Sequence, residues 1–458
     1  MHRDHDIAIV GGGAAGTLAA IHLLRRAAPG LRIAMYEPSL HPGEGVAYST
    51  RRPEHLLNVP AGKMSALPDE PGDFLAWLAT RREYAGADDQ SSRYLPRRDY
   101  AAYLAQRLEE ARTGSAATFE LHHHRITALH RRADGLRLEW SGGSATAGRV
   151  LLATGNAPRP LPARGASALG APRLLEAWDS EGLAAIAPDA RVCIAGTGLS
   201  MVDAVLTLAA CGHRGPVHLL SRHGLLPLAH APDSPVDTGL EVDALLALDL
   251  RARLRVLRQR VAEAAAGGRP WQAVLERLRP RVQALWRSLD AADQRRFLRH
   301  VVRYWDIHRH RIAPEADAVL QDLVRSGRLQ LHRARLDLVT SGTRCVHIGA
   351  RDRHGAVVAL DVEHVINATG VEMRVQAMRN PLLEQLLGDG LAVPGAHGIG
   401  LATDMDGRMR DASDMARDDL RVVGSLRIGE AWESLAVPEL RQQAQAVAEA
   451  WTGVAVAA

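Results

Sequence analysis

The first 37 residues constrain the fold more than any other stretch of the chain. Ile7-Ala8-Ile9-Val10 is an unbroken apolar run. Gly11-Gly12-Gly13-Ala14-Ala15-Gly16 follows it as Gly-x-Gly-x-x-Gly, residues 17–26 repeat their apolar positions at helical spacing, and residues 32–36 form a second strand ending on Glu37. Each part has a physical job in a βαβ unit. Gly11 allows a tight turn, Gly13 lets a pyrophosphate approach the backbone, and Gly16 lets the helix pack on the strand. Ala14 and Ala15 open the helix, whose free N–H groups and positive dipole end suit phosphate. Glu37 stands where an acid accepts from an adenosine ribose.

A second fingerprint lies downstream. Residues 191–195 read as a strand, Gly196-Thr197-Gly198-Leu199-Ser200 opens a helix running to about Ala210, and residues 216–220 read as the next strand. That strand ends in Ser221-Arg222-His223, where a site preferring NADH would carry Asp or Glu. An Arg beside a hydroxyl suits a 2′-phosphate, so NADPH is expected. Two further apolar runs each end in Ala-Thr-Gly, at Thr154-Gly155 and at Thr369-Gly370. They flank the second fingerprint, which is the pattern of one nucleotide fold inserted into another, as in flavoproteins reduced by a nicotinamide.

The rest of the chain resembles the bacterial FAD/NAD(P)-binding oxidoreductases related to the N-hydroxylating flavin monooxygenases. The resemblance rests on Gly45-Val46-Ala47-Tyr48-Ser49-Thr50, His55-Leu56-Leu57-Asn58-Val59-Pro60-Ala61, Tyr94-Leu95-Pro96-Arg97-Arg98 and Gly212-His213-Arg214-Gly215-Pro216. It extends to Tyr304-Trp305-Asp306-Ile307-His308-Arg309-His310-Arg311 and Val437-Pro438-Glu439-Leu440-Arg441. It implies a loop over residues 45–61 beneath the flavin, with Tyr48, Asn58 and Val59 against it, Arg97 at its polar edge, and the Ile126 backbone on the adenine. It also implies that Gly424 closes the flavin site, with Gly-Ser where many flavoproteins have Gly-Asp. A helix starting near Ser434 would aim its N-terminus at the flavin.

The expected architecture is α/β, with two Rossmann-like dinucleotide-binding domains, one for non-covalent FAD and one for NADPH, and a mainly helical insertion. The boundaries read as 1–165 and 371–458 for the FAD domain, 166–234 and 331–370 for the NADP domain, and 235–330 for a helical cap entered through the Pro-rich residues 232–235. Helical periodicity runs over 240–265, 271–289 and 291–303, with Arg on the opposite face. With three Phe and seven Tyr in 458 residues, the substrate pocket is no broad aromatic box. Trp305, His308 and Arg311 are the candidates to line it, Arg311 as a fork for a carboxylate. The competing reading has this segment only buttressing the insertion.

Composition narrows the function classes. Fifty-six cations against 52 anions leave a formal charge of +4, and aromatics are 4%, which is neither the clustered charge nor the stacking stock of a nucleic-acid binder. Cys193, Cys211 and Cys345 are far apart, which excludes a dithiol centre or a zinc knuckle. No window approaches the roughly 18 apolar residues of a membrane span, and no signal peptide precedes Ile7, so a cytoplasmic protein is expected. No metal site is expected either. His308 and His310 do not share a helix face, and His122-His123-His124 alternates in direction with no acidic partner nearby. No nucleophile or acid/base pair emerges from spacing, as fits chemistry carried by a flavin, so no catalytic residue is assigned. Three readings compete: an NADPH-dependent monooxygenase acting on a small amine or amino acid, at nitrogen as the resemblance implies; a reductase or dehydrogenase serving an organic or protein acceptor; and a flavin-binding redox sensor without turnover.

Overall fold

The computed structural model describes residues 3–86, 89–231 and 236–453, so the Pro-rich residues 232–235 lie outside the described residues. The chain divides into two compact units. The first comprises Met1–Arg51, Val59–Pro158 and Val371–Ala458, and the second Arg52–Asn58 and Arg159–Gly370. Both are α/β, each built on a largely parallel sheet, as expected from the two fingerprints.

In the first unit the neighbouring strands run Arg408–Arg410, Ala416–Val422, Gly143–Leu152, His5–Val10, Arg32–Tyr36 and Thr118–His122. All pair in parallel except the outermost Arg408–Arg410. The fingerprint strand sits in the middle, with Val10 level with both Tyr36 and Leu152. A strand covered on both faces must be apolar throughout, which is why residues 7–10 show no alternation. Ala8, Val10, Ala34 and Tyr36 pack on Leu129, Leu136 and Leu138 of an antiparallel meander and on Leu382, Leu383 and Leu386. The helix Ala14–Arg26 packs beside Arg97–Gly114 and Val437–Thr452.

The second unit repeats the plan. Its strand order is Val357–Val362, Val346–Asp352, Leu329–Ser341, Val217–Ser221, Val192–Ala195, His364–Asn367 and Leu174–Glu176. The last five are parallel and the first two add an antiparallel flap. Again the fingerprint strand, Val192–Ala195, lies centrally and feeds its helix, Leu199–Ala210.

Residues 236–325 of this unit are mainly helical, but the breaks differ from the periodicity. The first long helix starts at Leu250 rather than 240, because Asp249 caps it by accepting the Ala252 N–H at 2.7 Å. The second, from Trp271, changes at Leu278, where the turn Arg279–Arg281 carries Pro280 and its missing donor. The third starts at Ala291, capped by Asp290, and passes through one π-turn, Phe297–Val301, before Val302–Arg309. Not every Arg here is solvated. Arg253 is buried and donates to the carbonyls of Leu246, Leu248 and Leu285, groups left over at element ends. Asp237 is fully buried between Arg260 and Arg269.

Candidate nucleotide and substrate sites

The first fingerprint builds a cradle whose glycines are required in different ways. Gly11 has φ +104°, and a Cβ there would stand 2.5 Å from the Ala153 carbonyl oxygen. A Cβ on Gly16 would lie 1.9 Å from the Gly11 carbonyl oxygen. At Gly13 the nearest atom is Gly45 Cα at 3.4 Å, so the protein leaves open the space a phosphate needs. Gly13 is the N-cap of Ala14–Arg26, and no side chain caps that helix, leaving its first N–H groups for an anion. Glu37 is held by its backbone neighbours: Gly12 N–H donates to Oε2 at 2.6 Å and Ser39 N–H to Oε1 at 2.8 Å.

Around the same cradle the first unit carries buried oxygens with no protein partner: Thr154 Oγ1, Asn156 Oδ1, Ser425 Oγ and Ser434 Oγ. Unpartnered buried polar atoms cost roughly 1–3 kcal/mol each, and a ligand rich in hydroxyl and imide groups would satisfy them. This donor set, with the open space at Gly13, fits FAD. Gly155 and Gly424 both adopt positive φ, at +71° and +80°. Ser425 puts a hydroxyl where a carboxylate was the more usual expectation.

The structure shifts one expectation here. The C-terminal helix begins at Val437, capped at Ala436, not near Ser434. Ser434 instead joins a bridge that the sequence did not reveal. Gln443, from the second turn of that helix, donates to the Ser434 carbonyl at 3.1 Å and accepts the Gly424 N–H at 3.0 Å. It thereby fixes both residues, and a lone Gln in an amphipathic helix gives no sequence signal of such a role.

Tyr48 lies on the short helix Gly45–Tyr48 and its ring meets Tyr100 at 5.0 Å. Burial pushes its hydroxyl up to about 12, against an opposing pull from Arg97. Val59, Arg97 and Ile126 belong to this first unit, whereas Asn58 falls in the second, where its carbonyl lies 3.0 Å from His230 Nε2. Ile126 is 5% exposed and packs in the meander core.

The second cradle matches the first. Gly196 has φ +107°, and its Cβ would stand 2.2 Å from the Ala368 carbonyl oxygen; Gly198 has nothing within 4 Å. Leu199 and Ser200 open a helix capped by Gly198 without a side-chain cap. Ser221 Oγ bonds Thr197 Oγ1 and the Gly224 N–H, both at 3.0 Å, so this hydroxyl shapes the turn. Burial and the guanidiniums of Arg303, Arg159 and Arg335 hold Arg222 below its ordinary value. Burial, Arg222, Arg303 and Arg333 do the same to His223. Such crowding of like charge is relieved by an anion, and a 2′-phosphate at the end of Val217–Ser221 fits it. Thr369 is oriented by Asn367, whose Oδ1 accepts from Thr369 Oγ1 at 2.7 Å while its amide donates to the Arg159 carbonyl and to Glu176. Gly370 follows at φ +87°.

Of the substrate candidates in the second unit, His308 and Arg311 meet at Trp271, both already engaged, and Trp305 lies against Phe297. His308 Nδ1 lies 2.7 Å from the Tyr304 carbonyl, and its ring meets Trp271 edge-on at 4.8 Å. Arg311 is 5% exposed, paired with Glu276, with its guanidinium 5.9 Å from the Trp271 ring. Trp305 packs edge-on against Phe297 at 6.2 Å. A substrate carboxylate would have to share Arg311 with Glu276.

The His122-His123-His124 run has an acidic neighbour after all. Glu120 Oε2 lies 3.0 Å from His122 Nε2, because residues two apart on a strand share a face.

Comparison with known proteins agrees with this geometry. The model of the FAD-NAD(P)-binding family matches residues 8–157. No curated protein matches the sequence. Among solved structures, the reduced form of ornithine hydroxylase from Pseudomonas aeruginosa is similar over 98% of this chain and 99% of its own, with TM-score 0.67 and 17% identity. L-lysine 6-monooxygenase from Pseudomonas syringae covers 98% and 99%, with TM-score 0.65 and 18% identity. Thioredoxin reductase of T. acidophilum covers 99% of both chains, with TM-score 0.55 and 12% identity. The fold is that of two-nucleotide-domain flavoenzymes, and residues 8–157 carry an FAD-NAD(P)-binding domain.

Proposed function

We propose that the protein is an FAD-dependent, NADPH-using monooxygenase that hydroxylates the amine nitrogen of a small polar substrate. The observation that carries this reading is the whole-chain likeness to ornithine hydroxylase and L-lysine 6-monooxygenase, at TM-scores of 0.67 and 0.65 against 0.55 for thioredoxin reductase. The cysteines argue in the same direction. All three are free; Cys193 is buried with its thiol pushed up to about 12, and Cys211 Sγ lies 3.0 Å from an Arg52 nitrogen. No two of them are paired as a dithiol relay requires.

The assignment of roles follows from the cradles. Backbone N–H groups of residues 13–15 bind the FAD pyrophosphate and Glu37 its ribose. Thr154, Gly155, Ser425 and Ser434 meet its polar edge, with Gln443 holding the last two segments in place. Gly196, Gly198, Leu199 and Ser200 cradle the nicotinamide nucleotide's phosphates, Thr369 and Gly370 border it, and Arg222 selects NADPH. FAD held by these residues would supply the redox chemistry between NADPH and dioxygen. The protein positions both nucleotides and excludes water.

The test is turnover. Holoenzyme is given NADPH and oxygen with ornithine, lysine or cadaverine, and hydroxylamine product is measured against NADPH consumed. Coupled product formation supports the reading. NADPH oxidation matched by peroxide with every amine, together with rapid reduction of an organic or protein acceptor, would overturn it in favour of a reductase. In the same assay Arg222→Ala removes a charge-assisted contact worth about 1.5–3 kcal/mol, so the NADPH-over-NADH preference should fall by roughly 10- to 150-fold.

A further inference from the structure

We propose that His5, Glu120 and His122 form a binding site for one divalent transition-metal ion of the zinc class. Neither nucleotide site uses them. His122 and Glu120 lie on the edge strand Thr118–His122 and His5 on the central strand His5–Val10, with Arg32–Tyr36 between. The rings meet across that middle strand: His122 stacks on Tyr36 at 4.9 Å and 17°, and the His5 and His122 centroids are 5.6 Å apart. The Tyr36 hydroxyl, 3.0 Å from His5 Nε2, holds the His5 ring in this arrangement.

One ligand atom from each of the three residues lies within 4.8 Å of the other two. A tetrahedral ion at about 2.0–2.1 Å from nitrogen and oxygen ligands holds them roughly 3.3 Å apart. The His122–Glu120 pair, at 3.0 Å, is close to that spacing, and a His5 ring nitrogen lies within 4.8 Å of both. Two imidazoles and one carboxylate suit zinc, copper, nickel or iron rather than calcium or magnesium, with water completing the coordination.

The surroundings favour a cation. His5 is buried, at 6% exposure, so an ion held by it would be shielded on that side from bulk water. Glu120 and Asp4 add negative charge beside it, and the nearby Arg32 is already matched to Asp6 at 3.0 Å. The site would also brace the FAD cradle, because the His122 carbonyl accepts the Glu37 N–H at 3.0 Å.

A second grouping of possible ligands, Cys345, His347 and Asp361 in the other unit, must be separated from this one by experiment. Tag-free, FAD-loaded protein is titrated with Zn²⁺ against a chromophoric chelator. Binding of one ion is expected, with affinity lowered at least about tenfold in His5→Ala, His122→Ala and Glu120→Gln and unchanged in the Cys345→Ser, His347→Ala double variant. Glu120 is exposed, so its variant tests the site without threatening the fold. Zn²⁺ should also raise the melting temperature of the wild type but not of His122→Ala. Wild-type protein that holds no Zn²⁺, unchanged affinity in the three variants, or loss only in the Cys345/His347 variant would each overturn the proposal.

Discussion

Gly13→Val separates a ligand-binding glycine from a fold-building one. Gly13 has φ −66° and ψ −173°, an extended conformation open to any residue, and its Cβ would meet the Gly45 backbone, at 3.4 Å from Cα and 3.9 Å from N. The protein should therefore accept valine, at the cost of a poorer helix cap, about 1 kcal/mol or less. FAD should not accept it. The side chain fills the approach of the pyrophosphate, and losing two charge-assisted backbone hydrogen bonds, at about 1.5–3 kcal/mol each, costs roughly 3–6 kcal/mol. At 1.4 kcal/mol per factor of ten, affinity falls by about two to four orders of magnitude. The assay has two parts: flavin fluorescence on titrating apoprotein with FAD, and circular dichroism melting of that apoprotein. A folded variant that binds FAD within about threefold of wild type would refute the assignment of this cradle. A variant that fails to fold would refute the reading of open space at Gly13.

Three other outcomes follow from the packing. Gly16→Ala puts a methyl 1.9 Å from the Gly11 carbonyl oxygen, a backbone clash beyond the roughly 1–3 kcal/mol of ordinary overpacking; soluble expression should collapse, and a wild-type melting temperature would contradict this. Arg311→Ala strips the guanidinium from Glu276 in a largely buried pair and should cost about 3–5 kcal/mol of stability by urea unfolding, most of it restored by Arg311→Met with Glu276→Leu. Lost turnover at unchanged stability would instead make Arg311 a substrate contact. Burial pushes His22 from about 6.5 down to about 4. A folded-state value below the unfolded one means stability complete above about pH 6.5 and lost as pH falls toward 4. The loss is up to about 3 kcal/mol, measured as the difference in pH dependence of unfolding between wild type and His22→Gln.

How much of this was legible depends on whether the determinant is local in sequence. The fingerprints were, because each glycine's role is set by residues within one βαβ unit, and an apolar run such as residues 7–10 reports burial on both faces. The helix start at Ala291 agrees with the apolar periodicity and is capped by Asp290, whereas at Leu250 the capping of Asp249 outcompeted a periodicity that ran back to 240. What the sequence hid is held by partners far along the chain. Gln443 meets Gly424 across 19 positions, Asn367 reaches Arg159 across 208, and Arg253 gathers carbonyls from several segments. Glu120 beside His122 was within reach of a two-residue strand period. His5, more than a hundred positions away, was not.

The repeated Ala-Thr-Gly has a physical origin in how each cradle is pinned. In the first unit Gly11 N–H donates to the Tyr36 carbonyl, Ala153 N–H donates to Val10, and the Ala153 carbonyl crowds the face of Gly11 where a Cβ would project. In the second, Gly196 donates to Leu220, Ala368 donates to Ala195, and the Ala368 carbonyl crowds Gly196 in the same way. The strand after the fingerprint fixes one side of the glycine turn and the Ala-Thr-Gly strand the other, so the turn is rigid before any ligand arrives. Thr154 carries a buried hydroxyl with no protein partner, Thr369 donates its hydroxyl to Asn367, and the final Gly, at φ +71° or +87°, leaves the sheet. Since both cradles share this frame, the difference between them rests on the residue ending the second strand of each unit: Glu37, engaged by backbone N–H groups, against Ser221-Arg222 among arginines. An acid there repels a 2′-phosphate and accepts ribose hydroxyls, whereas an arginine cluster does the reverse. On the proposed function, one frame would thus be fitted to two nucleotides by changing the charge at a single corner.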